Sequence, residues 1–300
     1  MPDSGDLNGS GSSTACNVLR VTEEGMTARA DAVATEEPLE IQLSYEKTGG
    51  LRVTKSVAVT MRTPGHDAEL AAGFLFGEGI LREPGQIEQI SAPPPAEGRT
   101  ARGSVIRVAL RAGVEVDLRS LDRNFYTTSS CGVCGKTSLE ALRLTGRIAL
   151  PSDEPVLDLS AILRLPKILR ETQTVFDQTG GLHAAGLFDA AGTLIGVHED
   201  VGRHNAVDKV IGAQFLAGRT PLLHHVLLVS GRASFELMQK ALTAGVPVLA
   251  AVGAPSSLAV ELARQFGATL FGFVRDGRLN VYAGAHRLRE TAATLSRARG

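Results

Sequence analysis

Three things are scarce in this 300-residue sequence: net charge, long apolar runs and cysteine. Lysine and arginine number 31 against 32 acidic residues, a formal net charge of -1. The chain therefore lacks the strongly basic surface of a general nucleic-acid binder, though a local basic pocket for a phosphorylated small molecule stays open. No apolar run approaches the roughly 20 residues a membrane-spanning helix needs, so no membrane association is expected. Met1 to Thr14 is rich in Gly, Ser and Asp and lacks the basic and apolar regions of a secretory signal, which makes the cytoplasm the expected compartment. The stretch up to Asn17 reads as a disordered leader. Three cysteines, Cys16, Cys131 and Cys134, are an odd count that does not suggest a disulfide scaffold. Cys16, beside the leader, reads as incidental.

What is present is a chain that is 43% hydrophobic, enough for a real core in one large domain or two smaller ones. β-like runs fall at Leu39–Leu43 and Ser56–Met61. Thr63-Pro64-Gly65-His66-Asp67 then breaks the chain, with Asp67 as cap of a helix carrying Leu70, Ala71, Phe74 and Leu75 on one face and ending at Gly77 and Gly79. Val105–Leu110 and Val114–Leu118 read as a hairpin around Ala112-Gly113. After the cysteine loop, Thr137 with Glu140 has the spacing of a capping box. From Val156 onward the pattern alternates: a helix near Ser160–Phe176, strands at Leu182–Phe188 and Thr193–Val197, and a helix capped by Asn205 and reaching Leu216. Strands at Leu222–Val229, Val246–Val252 and Ala268–Val274 then alternate with helices at Ser234–Thr243 and Ser256–Phe266. Asp276-Gly277 turns the last strand back into Leu279–Tyr282. Such alternation predicts a parallel sheet with covering helices. The expected divisions are a leader over 1–17, a small mixed α+β domain over 18–126, a cysteine loop, helix and linker over 127–155, and an α/β domain over 156–300.

The sharpest chemical feature is Cys131-Gly132-Val133-Cys134-Gly135-Lys136. Sulfur chemistry needs the thiolate, and a helix start or a cation lowers a thiol's pKa. Both are expected here, from the predicted helix and from Lys136. A half zinc site would need two further ligands, and the sequence has no second cysteine pair. A thioredoxin-like dithiol would need a strand just before it, for which Asn124–Ser130 is poor. A reactive thiol ranks first, zinc second and a plain dithiol oxidoreductase third.

Ligands of parallel sheets bind beyond the C-terminal strand ends. Those ends carry Ser230-Gly231-Arg232, Gly253-Ala254-Pro255-Ser256-Ser257 and Arg275-Asp276-Gly277-Arg278. The first two open helices, whose N–H groups attract anions, and the arginines add forked donors suited to phosphate. Together they suggest a pocket for a pyrophosphate or nucleotide-like ligand. Each is weak alone, and Asp276-Gly277 can equally be only a turn. A third cluster holds His183, Glu199, Asp200, Arg203 and His204. The histidines suit proton carriage or metal ligation, but structural roles rank higher, with Asp200 and Arg203 paired to each other.

These residues together resemble the formate dehydrogenase accessory sulfurtransferase family, FdhD. The matching stretches are Thr63–Asp67 with Glu69–Leu75 and Glu78–Ile80, then Ser130–Lys136, Thr179–Ala185, Glu199–Lys209 and Ser230–Arg232. The resemblance implies a sulfurtransferase that takes persulfide sulfur from a cysteine desulfurase and passes it to the molybdenum of bis-molybdopterin guanine dinucleotide, the cofactor of a formate dehydrogenase. It makes Cys131 the persulfide carrier and Cys134 its helper. It places cofactor contacts, including the guanine nucleotide moiety, on Phe273, Val274, Arg275, Asp276, Gly277 and Arg278. Arg232 and Ser257 join them from the neighbouring loops. It further implies a cytidine-deaminase-like three-layer α/β/α domain, a homodimer, the formate dehydrogenase catalytic subunit as partner, and no intrinsic metal. The zinc signature of deaminases is missing: Ser130 precedes Cys131, and His198-Glu199 has the wrong spacing. A cofactor-binding chaperone with dispensable cysteines, or less favourably a zinc deaminase-like enzyme, are the alternatives.

Overall fold

The computed structural model describes residues 11–47, 49–93, 104–117 and 149–289. In chain order the strands and helices are β1 (Ser13–Thr22), β2 (Gly25–Ala34), β3 (Glu37–Glu46), β4 (Arg52–Arg62), α1 (Asp67–Gly77), β5 (Ile87–Ser91) and β6 (Ser104–Leu110). There follow α2 (Leu159–Glu171), α3 (Thr174–Thr179), β7 (His183–Asp189), β8 (Leu194–Asp200), α4 (Arg203–Leu216), β9 (His225–Val229), α5 (Phe235–Thr243), β10 (Val248–Ala251), α6 (Ser257–Gln265), β11 (Thr269–Arg275) and β12 (Arg278–Ala283). Among the described residues no helix is long and apolar enough to cross a membrane.

The chain folds as two compact units. The first draws its described residues from the 1–126 stretch, Gln173–Ala184 and His198–Gly218; the second draws from 127–172, Ala185–Val197 and 219–300. This division departs from the linear one expected. Residues 173–184 and 198–218 group with the N-terminal segments because α4 packs on α1, and α3 on β1 and β2.

In the first unit a four-stranded sheet runs β4-β3-β6-β5, with β3 and β6 parallel and the other pairs antiparallel. Alternation along β3 turns Leu39, Ile41 and Leu43 into the core, at most 1% exposed. Helix α1 meets α4 at glycines on both sides. A Cβ on Gly73 would lie 1.9 Å from the Asp208 carbonyl oxygen, and one on Gly212 the same distance from that of Glu69. Only hydrogen fits at either point, so the backbones touch there. The strands β1 and β2 form a separate two-stranded ribbon with an unbroken register from Ser13↔Ala34 to Thr22↔Gly25.

In the second unit a six-stranded sheet has the order β12-β11-β10-β9-β7-β8. The strands β9, β10 and β11 are parallel, while β7 and β12 run antiparallel to their neighbours, so the sheet is mixed rather than all parallel. Val226 to Val229 and Val248 to Ala251 are at most 1% exposed, as strands covered on both faces must be. Arg287 is fully buried and donates to the carbonyls of Glu154, Gly267 and Pro151, pinning the 151–155 segment that the sequence suggested as a linker. The mixed α/β class is as expected.

Several local expectations change. Residues 13–17 belong to β1 and not to a leader, because the pairing partner that orders them lies at 30–34. The stretch Val114 to Asp117 is not a strand. β6 turns at Arg111–Gly113, and its edges are already taken by β3 and β5. Asp67 is the first residue of α1, not its cap; its carboxylate is held by the buried Arg62 guanidinium at 2.9 and 3.0 Å. The helix expected over 160–176 is two helices, α2 and α3. Asn205 lies inside α4, whose N-cap is Gly202.

Candidate functional site

Three groups of residues were singled out from the sequence. The cysteine loop, with Cys131, Cys134, Lys136 and the Thr137–Glu140 capping box, lies outside the described residues.

The three loops of the second unit do come together. Gly253 N donates to Gly231 O at 2.9 Å, Ala233 N to Ala254 O at 3.2 Å and Phe273 N to Gly253 O at 3.0 Å. These bonds continue the parallel order of β9, β10 and β11 beyond the strand ends, where such sheets take ligands. Glycine is required for the approach. A Cβ on Gly272 would sit 2.8 Å from Pro255 Cδ and 2.8 Å from Tyr282 Cε2. Ser234 caps α5 by accepting from Leu237 N, and Ser256 caps α6 by accepting from Ala259 N. Ser257 is therefore the exposed first residue of α6, and Arg232 is exposed as well.

The turn after β11 has an unusual backbone. Asp276 and Gly277 both take positive φ, 54° and 71°, as a two-residue hairpin turn of the primed type demands. Phe273, at φ 52°, occupies the left-handed region too, at a register shift between Gly272 and Arg275. Arg275 and Arg278 are direct cross-strand partners and so share a face. The Arg275 guanidinium lies 5.5 Å from the Phe273 ring centroid, and its Nε is 3.9 Å from Asp276 Oδ2. Arg278 has no ion-pair partner among the described residues. Val274 is fully buried, so its side chain belongs to the core and only its backbone faces the turn. Arg232 is exposed two residues ahead of the Ser234 cap of α5, and exposed arginines and helix starts are each donors of the kind a pyrophosphate takes.

The third group is in the first unit, and its pairing differs from expectation. Asp200, fully buried at the end of β8, pairs with Lys209 of α4, itself 1% exposed, at 2.7 Å. It does not pair with Arg203, whose Nε is buried without a hydrogen-bond partner. Around the ion pair the remaining polar capacity is filled. Thr63 N donates to Asp200 Oδ2, while Gly202 N and Asn205 Nδ2 donate to Oδ1. Lys209 Nζ also donates to Thr63 O at 2.9 Å, and Asn205 Nδ2 to Met61 O at 2.7 Å. This filling is what a buried ion pair needs to offset its desolvation. Glu199 accepts from Val175 N and Phe176 N, capping α3.

Beside this knot lies a pair of histidines, His66 and His198, that no local motif marks as a pair. His66 precedes α1 in the left-handed conformation, φ 57°, and its Nδ1 is 3.4 Å from Glu69 Oε1. His198 meets the His66 ring edge-on, with centroids 4.4 Å apart. The hydrogen bond with His66 holds the Glu69 carboxyl below its usual range. Burial, helped by His66 alongside, pushes His198 down to about 4. Burial and then the Arg203 charge lower His183. The signal available beforehand was only that His66 falls in a Pro-Gly turn and His198 two residues before Asp200.

Residues 34–289 match the model of the FdhD/NarQ family. The chain belongs to that family. It is 50% identical over 281 residues to the protein of Streptomyces avermitilis named sulfur carrier protein FdhD, covering 92% of this chain and 95% of the relative. The protein of the same name from Mycobacterium tuberculosis is 48% identical over 275 residues, with 90% and 96% covered. Among solved structures, a putative formate dehydrogenase accessory protein from Desulfotalea psychrophila superposes with a TM-score of 0.69 at 26% identity, over 92% of this chain and 99% of that one.

Proposed function

We propose that this chain is a sulfurtransferase that carries persulfide sulfur to the molybdenum cofactor of a formate dehydrogenase. The observation that carries this reading is half-identity over more than nine tenths of both chains to proteins named sulfur carrier FdhD. The solved relative titled as a formate dehydrogenase accessory protein supports the destination.

The chemistry assigned to Cys131 begins with its thiolate attacking the outer sulfur of a cysteine desulfurase persulfide. The donor's S–S bond breaks, its cysteine leaves as thiolate, and Cys131 becomes the persulfide. Cys134 then attacks the inner sulfur of that persulfide. A Cys131–Cys134 disulfide closes, the terminal sulfur leaves at the sulfide level for the metal, and a thiol reductant reopens the pair. Mo-bis(molybdopterin guanine dinucleotide) is bound as substrate. Its guanine nucleotide is assigned to the edge formed by Arg232, Ser257 and Phe273 to Arg278. The mixed sheet, with an antiparallel β7 beside three parallel strands, supports the deaminase-like reading of the second unit. The cytoplasm is the assigned compartment.

The test is mass analysis of the full chain after incubation with a desulfurase and cysteine. A persulfide adds one sulfur, roughly 32 Da, to an activated thiolate. The gain should map to the peptide holding Cys131 and Cys134 and vanish in Cys131→Ala. A gain found on Cys16 alone, or Cys131→Ala protein that still supports formate dehydrogenase activity, would favour a cofactor-binding chaperone instead.

A further inference from the structure

The His66–His198 pair of the first unit is held more firmly than ring packing requires. His66 sits at φ 57°, a left-handed backbone that a residue with a Cβ adopts at a cost of about 1–3 kcal/mol. The turn sets its ring beside Glu69, whose carboxylate faces Nδ1 at 3.4 Å. An ionised carboxylate only accepts, so Nδ1 carries the proton and Nε2 keeps its lone pair. The His66 side chain is 45% exposed, so the ring is open to solvent. His198 reaches the same spot from near the end of β8. Its ring centre lies 4.4 Å from that of His66, with the planes 68° apart. Among the described residues no hydrogen bond engages either nitrogen of His198. Burial keeps that ring neutral at pH 7, so it too offers a lone pair. All three side chains belong to the first unit.

A carboxylate behind one imidazole, with a second neutral imidazole alongside, is the donor set of a metal site. A ligating histidine characteristically gives its other N–H to a carboxylate, which fixes the ring and raises its basicity. The ring separation selects among metals. With metal–nitrogen bonds of about 2.0–2.1 Å, two ligating imidazoles have centres roughly 4.5 Å apart at a right angle and roughly 5.2 Å apart at the tetrahedral angle. The observed 4.4 Å matches the right angle, which square-planar and tetragonal ions take and tetrahedral zinc does not. We propose that His66 Nε2 and His198 bind one divalent transition-metal ion of right-angle geometry, Cu(II) or Ni(II), with Glu69 as the carboxylate that orients His66. Glu69 also supplies negative charge. The neighbouring cation, Lys209, is already answered by Asp200 at 2.7 Å. Among the described residues no group of three histidine, cysteine or acidic side chains gathers to hold a metal. The remaining positions therefore go to water or an exchangeable ligand, and the ion itself exchanges. The proposal goes beyond the sulfur-carrier reading and does not rest on it.

The experiment is calorimetric titration of Ni(II), and separately of Cu(II), into the full chain without a histidine tag. Thiolates take both ions, so Cys16, Cys131 and Cys134 are replaced by serine, and the wild-type chain is titrated with Ni(II) alongside. One equivalent should bind. His66→Asn and His198→Gln should each weaken binding about tenfold or more, with loss of one of the two ligands. Asparagine tolerates the left-handed backbone at position 66, so that variant keeps the fold. Glu69→Gln touches no metal bond and should still cost about tenfold, the effect of losing an orienting carboxylate. Electron paramagnetic resonance of the Cu(II) form should show coupling to two imidazole nitrogens, in Glu69→Gln as in the parent. His225→Gln, remote from the pair in sequence and in the other unit, should change nothing. Absence of binding up to about 1 mM metal overturns the proposal. So does an affinity indifferent to His66→Asn, or a Cu(II) spectrum with fewer than two nitrogens. Glu69→Gln protein that binds as tightly as the parent overturns the role given to that carboxylate.

Discussion

The first unit is tied by polar groups from segments far apart in sequence, while the second is built from apolar strands joined through adjacent helices. In the first, Asp200, Lys209, Asn205 and Thr63 meet across 137 to 146 positions, and two helices touch through glycines. In the second, β9, β10 and β11 follow one another, and their buried valines, leucines and alanines need no polar partner. The first therefore concentrates its stability in a few irreplaceable contacts. The second spreads it over many small ones, with the buried Arg287 as its polar clamp and Arg232, Arg275 and Arg278 exposed.

The largest expected effect tests that contrast at the buried ion pair. Lys209→Met leaves Asp200 buried without its cation and should cost about 3–5 kcal/mol in urea unfolding. Replacing both partners, Asp200→Leu with Lys209→Met, should cost less than the single change. A double variant as unstable as Lys209→Met would mean that the surrounding hydrogen bonds, not the charge, hold the knot.

Next comes the α1–α4 contact. Gly212→Ala drives a methyl into the Glu69 carbonyl and should cost about 2–3 kcal/mol, toward the upper end for overpacking. An exposed glycine with open space around it, Gly85, serves as the control, since Gly85→Ala meets nothing within 4 Å. Equal thermal midpoints for the two alanine variants would remove the close-approach argument.

At the rim of the second unit, Arg275→Ala and Arg278→Ala should each weaken GDP binding about tenfold, the value of a charge-assisted hydrogen bond partly shielded from water. Arg→Lys should fall between, keeping charge but losing the fork. Isothermal titration with all variants indistinguishable from wild type would place the nucleotide elsewhere.

The smallest effect concerns pH. His198 is held at about 4 by burial against an ordinary value of 6.5. A depressed pKa stabilises the fold fully above the unfolded value, and that stability is lost as pH falls from 6.5 toward 4. The loss should be roughly 1 kcal/mol near pH 5.5. His198→Gln should flatten that part of the stability profile. An unchanged slope between pH 7 and 5 would show that other groups set it.

The second unit is more legible in the sequence than the first. Each strand and helix after Leu222 was legible because its apolar period, its serine cap and its Asp-Gly turn are all local. Asp276 and Gly277 take the positive φ values that this dipeptide favours. In the first unit the local rules misled. Asp67 and Asn205 have the chemistry of helix caps, yet the Asp67 carboxylate is held by the preceding strand's Arg62 and the Asn205 amide by the distant Met61 carbonyl. Arg203 stood closer to Asp200 in sequence than Lys209, but the helical turn of α4 carries the Lys209 ammonium to the carboxylate instead.

By itself the sequence determined the mixed α/β class, the family, and the three loops that line one sheet edge, because local periodicity and short motifs carry those. The tertiary structure alone decided that Lys209 answers Asp200, that His66 and His198 meet, and that residues 13–34 pair into a ribbon. Those outcomes depend on which distant segment supplies the opposite charge, ring or strand, and a buried charge or an unpaired backbone must find such a partner wherever the fold provides it.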